Sequence, residues 1–227
     1  MSLPMGFVPR LPFEGFKWKW GCLQCTEGIN DPVVLLGVLS RMRKLEKRNA
    51  GLAYSSDEFA EELRSLAVDI EGRDIGVDLA RRTGERNLIR NSGQYWRALG
   101  LIPDASRGEI ALTDFGRQVA DAEISQAEFA AITVSTFALP NPAIQSATEC
   151  EQWRKVGIAL HPLALILEIL RGLRDRGLAP CMTKDELTRI VIPLSGVRGA
   201  QTDDYVSFIE AYRERNLDVS KWPNCIP

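Results

Sequence analysis

The stretch ERNLIRNSGQYWRALGLIPDASRGEIALTDFGRQVA, residues 85–120, decides how this chain folds. It begins as a basic helix that carries Trp96. Two short extended runs follow, Leu101–Ile102 and Glu109–Leu112, around a polar, glycine-bearing turn that favours a hairpin. Thr113 then supplies the hydroxyl that caps a further helix.

Two more helices are predicted before this stretch, over residues 56–70 and 74–83, and the basic helix itself over 86–99. Three helices followed by a small hairpin is the plan of a winged helix, a helix-turn-helix variant. In that plan the third helix enters the DNA major groove while the hairpin lies against the backbone. The sequence therefore predicts a winged-helix subdomain.

Polar side chains on the third helix are the candidate DNA contacts. The apolar residues of this helix are sufficient to hold it on a core, which leaves its arginines and amides facing outward. Arginine can pair with guanine, and asparagine or glutamine with adenine. We assign base reading to Arg90, Asn91 and Gln94. We assign phosphate contacts to Arg86 and Arg97, and to Arg107 in the turn of the hairpin.

A second interpretation of the same residues stays open. Arginines on an amphipathic helix are commonly a solvated face, and winged helices also serve as protein-docking modules. Tyr95 and Trp96 are better explained as core residues than as platforms for base stacking. The residues alone thus support a DNA-binding module and a module for protein interaction or transcriptional control.

The rest of the chain predicts a mainly α-helical protein. Asp31-Pro32 opens one helix, because proline is tolerated at a first helical position. Four capping boxes predict further helix starts: Ser55 with Glu58, Ser125 with Glu128, Thr148 with Glu151, and Thr183 with Glu186. The turn at residues 139–145 separates two helical groups. We expect an N-terminal arm and first helix over 1–54, a winged-helix subdomain over 55–145, and a second helical subdomain over 146–227, for which another winged helix is one alternative.

Charge is strongly segregated along the chain, although its formal net charge is only −2. Residues 1–56 carry a net +4, 57–80 a net −6, 81–108 a net +4 and 109–151 a net −6. Binding DNA requires a local positive potential and not a positive total, so the small net charge does not exclude this function.

Composition points to a cytoplasmic protein without a metal or cofactor of its own. The mean hydropathy is −0.11, and no apolar run approaches the roughly 18 residues of a membrane span. The N-terminus also lacks the apolar stretch of a signal peptide. Cys22 and Cys25 form a lone CxxC, and His161 is the single histidine. A structural zinc site needs four ligands, so we expect no metal.

Several segments, taken in order, resemble one known family. They are FKWKWGCLQCTEGINDPVVLLGVLSRM from Phe16, NSGQYWRALGLI from Asn91, IALTDFGRQVA from Ile110, FALPNP from Phe137, HPLALILEIL from His161 and MTKDELTRIVIPL from Met182. This succession resembles the N-terminal, DNA-recognition half of AlwI-type Type IIS restriction endonucleases and their nicking relatives. The resemblance covers the chain from about Phe16 to Trp222.

The resemblance implies winged-helix-like subdomains that read a short asymmetric DNA site. It places the helix with Arg86, Arg90, Asn91, Gln94 and Arg97 at the position of a recognition helix. The helices that follow Pro162, Thr183 and Thr202 would form the second helical subdomain. In that family a separate C-terminal domain, with a PD-(D/E)XK centre and its Mg²⁺, cuts outside the recognised site.

This sequence departs from the family in lacking the nuclease centre. A PD-(D/E)XK site needs an acidic residue two positions before a lysine, and none of the seven lysines has one. His161 directly precedes Pro162, where a helix-end or core role is expected rather than that of a general base. No glycine-rich phosphate loop is present.

We therefore expect a module that binds DNA and has no catalytic residues. It would be the recognition part of a larger restriction endonuclease or a stand-alone relative, with a nuclease domain or subunit in cis or in trans. An endonuclease in its own right is a third alternative.

Overall fold

The computed structural model describes residues 2–18, 32–71, 87–104 and 108–224, without the side chains of 32, 33, 71 and 87–92. The chain is mainly α-helical, as predicted. It forms two compact units: the middle unit, residues 22–133, and the terminal unit, which combines residues 1–21 with 134–227. The functional ranges 1–54, 55–145 and 146–227 are a separate division and stay a prediction.

Nine helices follow one another in the described part of the chain. The first five are α1 (Pro32–Arg48), α2 (Asp57–Glu71), α3 (Asn87–Ala98), α4 (Asp114–Ala120) and α5 (Gln126–Thr136). The next are α6 (Ala147–Lys155), α7 (Pro162–Asp175), α8, and α9 (Thr202–Arg213). Helix α8 joins an α-helical turn, Lys184–Glu186, to a π-helical turn, Leu187–Val191, and a second α-helical turn, Ile192–Ser195. The helix predicted over 74–83 lies outside the described residues.

Three of the predicted helix caps are confirmed. The hydroxyl of Thr113 accepts a hydrogen bond from the backbone N–H of Gly116 at 2.9 Å. The capping boxes of Ser125 with Glu128 and of Thr183 with Glu186 each contain both reciprocal bonds. These caps satisfy N–H groups that have no partner within their own helix.

The other two capping boxes were placed wrongly. Helix α2 begins one residue later than predicted, because Ser56, and not Ser55, accepts from the N–H of Phe59 at 3.2 Å. Helix α6 begins two residues earlier, at the box of Ser146 and Glu149, so Thr148 lies inside the helix. A second residue with a hydroxyl group lies near each predicted cap. Burial decides which of the two caps the helix, since the observed helix starts put Phe59 and Trp153 in the cores.

The core of the middle unit lies between α1, α2, α3 and α4. Val38, Leu39, Met42, Phe59 and Leu63 are almost completely buried there. Trp96 of α3 is fully buried and Tyr95 packs against the same core, which confirms that both belong to the core. Helix α3 is therefore held by one apolar side.

Extended segments cross this unit, but the described part contains isolated bridges rather than strands. Glu109 pairs antiparallel with Ala53, in the connection between α1 and α2. Flanking bonds join the N–H of Tyr54 to the carbonyl of Gly108 (2.8 Å) and the N–H of Ile110 to that of Leu52 (2.7 Å). The predicted hairpin is not confirmed as a ladder. Its first run meets the second through the bond from Thr113 N–H to the Leu101 carbonyl, at 3.0 Å.

The terminal unit is built from both ends of the chain. Trp18 is fully buried, and its indole N–H donates to the Ser195 hydroxyl at 2.6 Å. The buried carboxylate of Asp204, at the start of α9, accepts from the Ser2 hydroxyl (2.9 Å) and the Leu3 N–H (2.7 Å). The first residues of the chain thus complete a core made by its last ninety. No helix in the described ranges is long and apolar enough to cross a membrane.

Candidate nucleic-acid interface

Four of the six predicted contact residues, Arg90, Asn91, Gln94 and Arg97, lie within helix α3, and local geometry fixes the C-terminal end of this helix. Gly100 has φ of 71°, a left-handed conformation that glycine adopts at little cost. The N–H of Gly100 donates to the Arg97 carbonyl and that of Leu101 to the Trp96 carbonyl, both at 2.8 Å. These bonds close the helix and lead the chain into the first extended run.

The structure describes the six candidate residues to different extents. Gln94 is exposed and Arg97 is half-buried, both on α3. Arg90 and Asn91 are also part of α3, but their side chains are not described. Arg86 and Arg107 lie outside the described residues, so their assigned contacts stay predictions.

Helical spacing separates the α3 positions into two groups. At about 100° per residue, positions 91 and 94 are turned roughly 140–160° away from the buried Trp96. Positions 90 and 97 are turned roughly 100–120° away, which puts them at the border of the outward side. The half-burial of Arg97 agrees with this border position.

Arg97 occupies an unusual position for a cation. Its Nε–H group is shielded from solvent and has no acceptor among the described residues. The guanidinium folds back along α3, since a Cβ added at Gly93 would lie 3.5 Å from Nη2 of Arg97. The Nε–H of Arg97 is thus one donor that the described part of the protein does not use.

Tyr54, on the segment that pairs with Gly108, is influenced by the positive charge of this arginine. Burial raises the pKa of Tyr54 to about 12, although the Ala111 backbone N–H and the positive charge of Arg97 oppose the rise. The phenol consequently stays protonated in the physiological range. Its hydroxyl is shielded from solvent and has no acceptor in the described ranges.

The basic residues of α1, in contrast, are already paired. Glu62 of α2 lies 2.5 Å from Lys44 and 3.6 Å from Arg48. Asp121, which follows α4, lies 2.8 Å from Lys47 and 2.9 Å from Arg43. The charge blocks seen in the sequence therefore neutralise one another to a large extent inside the middle unit.

Glu46 of α1 is a third carboxylate in this set of ion pairs, and sequence reasoning missed it. It accepts from Arg117 at 2.9 Å, from Arg43 at 2.8 Å and from the backbone N–H of Leu112 at 3.2 Å. Burial opposes its charged form, but these hydrogen bonds outweigh burial and lower the pKa of Glu46. The basic block 1–56, which contains α1, and the acidic blocks 57–80 and 109–151 were the available sequence signal for such pairing.

A groove of about 770 Å³ lies between the end of α1 and the start of α2. It is lined by Leu45, Arg48, Asn49, Leu52, Asp57, Glu58, Glu61, Glu62 and Arg64. Four carboxylates against two arginines make this groove a poor site for a phosphate. We therefore place no part of the DNA interface there.

Metal and nucleophile chemistry have little basis in the described residues. No group of three or more histidine, cysteine or acidic side chains there could hold a metal ion. Cys22 and Cys25 lie outside the described ranges, and Cys150 and Cys181 are free thiols. His161 occupies the position before Pro162 at the start of α7, where its side chain makes no capping bond.

Comparisons of the chain with family models, curated proteins and solved structures find no match. The similarity to AlwI-type endonucleases stays a prediction from the sequence segments that carry it.

Proposed function

We propose that this chain is a sequence-specific module for double-stranded DNA, with a winged helix in its middle unit and α3 as the recognition helix. The observation that carries the proposal is the pairing of residues 52–54 with 108–110. This pairing joins the extended segment between α1 and α2 to the ribbon that follows α3, by which we mean residues 101–104 and 108–112. Among the described residues, α1, segment 52–54, α2, α3 and the extended runs after α3 follow one another in an order that a winged helix can have, and the helix predicted over 74–83 lies outside them.

The charge distribution supports α3, rather than α1, as the DNA-contacting helix. The cations of α1 are engaged by Glu46, Glu62 and Asp121, whereas Arg97 forms no ion pair within the described ranges. Gln94 is exposed on the side of α3 opposite Trp96. In this proposal Arg90, Asn91 and Gln94 read base edges, and phosphates are contacted by Arg86, Arg97 and Arg107.

We further propose that the module serves a Type IIS-like restriction endonuclease. The support is the order of segments described above, from Phe16 to Trp222. A nuclease domain or subunit, in cis or in trans, would supply the acidic centre and its Mg²⁺. The terminal unit would act as the second helical subdomain, and the module itself would work in the cytoplasm.

Selection of binding sites from random duplexes in low salt tests the recognition function. We expect an enriched motif, because bidentate contacts discriminate between bases. Arg90→Ala should then cost about 1–3 kcal/mol on the preferred duplex and relax selectivity at one position. Arg64→Ala is a matched control, since Arg64 is an exposed arginine of α2 that pairs with Glu61. Recovery of random sequence alone would reject the proposal.

The second candidate is a winged helix that docks a protein. The internal neutralisation of α1 favours it, because fewer free cations face a nucleic acid. This candidate predicts that affinity for duplexes is low and independent of sequence. The same selection experiment separates the two functions.

A further inference from the structure

The groove between the end of α1 and the start of α2 has an apolar floor and an acidic rim. Of the residues that line it, Leu45 is buried and Leu52 half-buried, whereas Asp57, Glu58 and Glu61 are exposed. Its volume of about 770 Å³ is within the range of sites that hold small ligands or a few residues of a peptide. The backbone of the floor is fixed, because the Leu52 carbonyl accepts from the N–H of Ile110 at 2.7 Å.

Two of the four carboxylates in the lining have no counter-ion of their own. Glu61 pairs with Arg64 and Glu62 pairs with Lys44, each at 2.5 Å. Asp57 and Glu58, in contrast, form no ion pair with any residue of the described ranges. The unmatched negative charge of the rim therefore lies on these two residues.

The last turn of α1 favours a cation at the same place. Leu45, Arg48 and Asn49 line the groove at this end of the helix. The N–H of Asn49 occupies the Leu45 carbonyl at 2.8 Å, while the carbonyls of residues 46–48 accept no backbone hydrogen bond within the described ranges. The final carbonyls of a helix form the negative end of its dipole and attract cationic groups. The helix end and the rim thus favour the same kind of ligand.

We propose that this groove docks a basic segment of a protein partner, which places an arginine or lysine against Asp57 and Glu58 and an apolar side chain on Leu52. Charge complementarity identifies the occupant, since an acidic segment is repelled and an uncharged one leaves both carboxylates without a counter-ion. The docking surface is separate from DNA recognition, because none of the six candidate DNA contacts lines the groove.

Titration of the whole chain with a hexapeptide of alternating arginine and leucine, blocked at both ends, tests the docking site. We expect saturable shifts in the backbone amide resonances of Asn49, Leu52, Glu58 and Glu61. A matched peptide with glutamate in place of arginine should not bind. A second matched peptide, with serine in place of leucine, should bind more weakly because it buries less apolar surface.

Removing the unmatched charge tests which carboxylates hold the peptide. The double variant Asp57→Asn with Glu58→Gln should weaken binding of the arginine–leucine peptide about three- to tenfold, because two exposed ion pairs are lost. Both residues lie in the first turn of α2, where carboxylates also stabilise a helix, so urea unfolding accompanies each variant. Asp104→Asn with Glu123→Gln is the matched control, since these exposed carboxylates of the middle unit lie outside the groove. It should bind as the unchanged protein does.

The pattern of shifts decides whether the groove is a docking site. Shifts confined to the groove, and weakened by the Asp57 and Glu58 variant alone, support it. Shifts spread over all acidic surfaces, or equal binding of the serine peptide, reflect general charge attraction and overturn it.

Two further results separate this docking site from other uses of the chain. Sedimentation of the unliganded protein as a dimer that the Asp57 and Glu58 variant abolishes assigns the groove to a second copy and overturns the protein partner. The titration contains no DNA, so its result holds whether or not selection returns a duplex motif. Because the shifts are measured in the unchanged protein, a variant that fails to fold does not prevent the decision.

Discussion

Gly116 lies in the first turn of α4, directly against the backbone of Leu101. A Cβ at this position would lie 2.1 Å from the Leu101 carbonyl oxygen, and a backbone atom cannot move aside as a flexible side chain can. This close approach lets the Leu101 carbonyl accept from Thr113, the residue that caps α4. One glycine thus fixes how the helix after the ribbon meets the end of α3.

Gly116→Ala is expected to destabilise the middle unit by about 1–3 kcal/mol or more, the usual cost of overpacking. Gly93→Ala is the matched control, because the one described side-chain atom that its added methyl meets is Nη2 of Arg97, at an ordinary 3.5 Å. That change should stabilise α3 by up to about 1 kcal/mol, since alanine favours a helix over glycine. Urea unfolding of both variants measures the difference. Equal effects of the same sign would contradict the packing at Gly116.

The residue types near a helix start predicted that a helix begins there better than they predicted which residue caps it. Thr113, Ser125 and Thr183 were identified because each stands alone as the cap of its helix. Ser55 and Thr148 were wrong because a neighbouring serine competes, and the choice depends on which apolar side chains become buried. Nothing within a few residues of the cap contains that information.

At the scale of elements, α1, α4 and the ribbon are joined by Glu46. Its carboxylate reaches Arg117 on α4 and the backbone N–H of Leu112 while it stays on α1. The side chain is only 13% exposed, so truncation leaves donors without partners. Glu46→Ala should cost about 1–3 kcal/mol of unfolding free energy. An unfolding free energy equal to that of the unchanged protein would contradict this role.

Glu46 also predicts a pH dependence of stability. Its pKa is lowered in the folded protein, so the unfolded chain binds the proton more readily. The stabilisation is therefore present above the ordinary pKa of glutamate and is lost as the pH falls through the lowered value. Unfolding free energy measured against pH should fall less steeply on acidification in Glu46→Gln. Glu61→Gln, an exposed change of equal charge, is the control.

The pairing of elements was beyond the sequence analysis. The helical periods predicted α2 and α3, and the polar turn predicted an extended ribbon. The partner of that ribbon, residues 52–54, is more than fifty positions away, and neither segment contains a pattern that identifies the other. The candidate site was likewise found only in part. Gln94 and Arg97 followed from residue type, whereas Glu46, which pairs with Arg43 and Arg117, is identified only by its contacts.

At the scale of the whole molecule, the terminal unit depends on residues from both ends of the chain. Trp18 and Phe16 are buried with Trp153, and Phe16 and Trp153 have ring centroids 5.1 Å apart. Trp18→Ala should cost about 3–5 kcal/mol, as for other large aromatic residues removed from a core. A fragment that starts at residue 134 should fail to fold alone. Calorimetry of that fragment, with and without a peptide of residues 2–18, measures the dependence.

Leu11→Ala provides the contrasting change in the same N-terminal segment. Leu11 is 41% exposed, so its truncation removes little buried surface and should leave stability nearly unchanged. A cooperative unfolding transition from the fragment 134–227 without the peptide would show that the N-terminal segment is dispensable.

The closure of the terminal unit by residues 2–18 has a consequence for how the protein is made. A ribosome releases the chain from its N-terminus, and domains generally fold as units during synthesis. Trp18 leaves the exit tunnel long before its partners on α8 and α9 have been translated. The middle unit contains all of its own core and can fold while the terminal unit is still incomplete. We expect the newly made N-terminal segment to stay exposed, and open to chaperones, until α8 and α9 have left the ribosome.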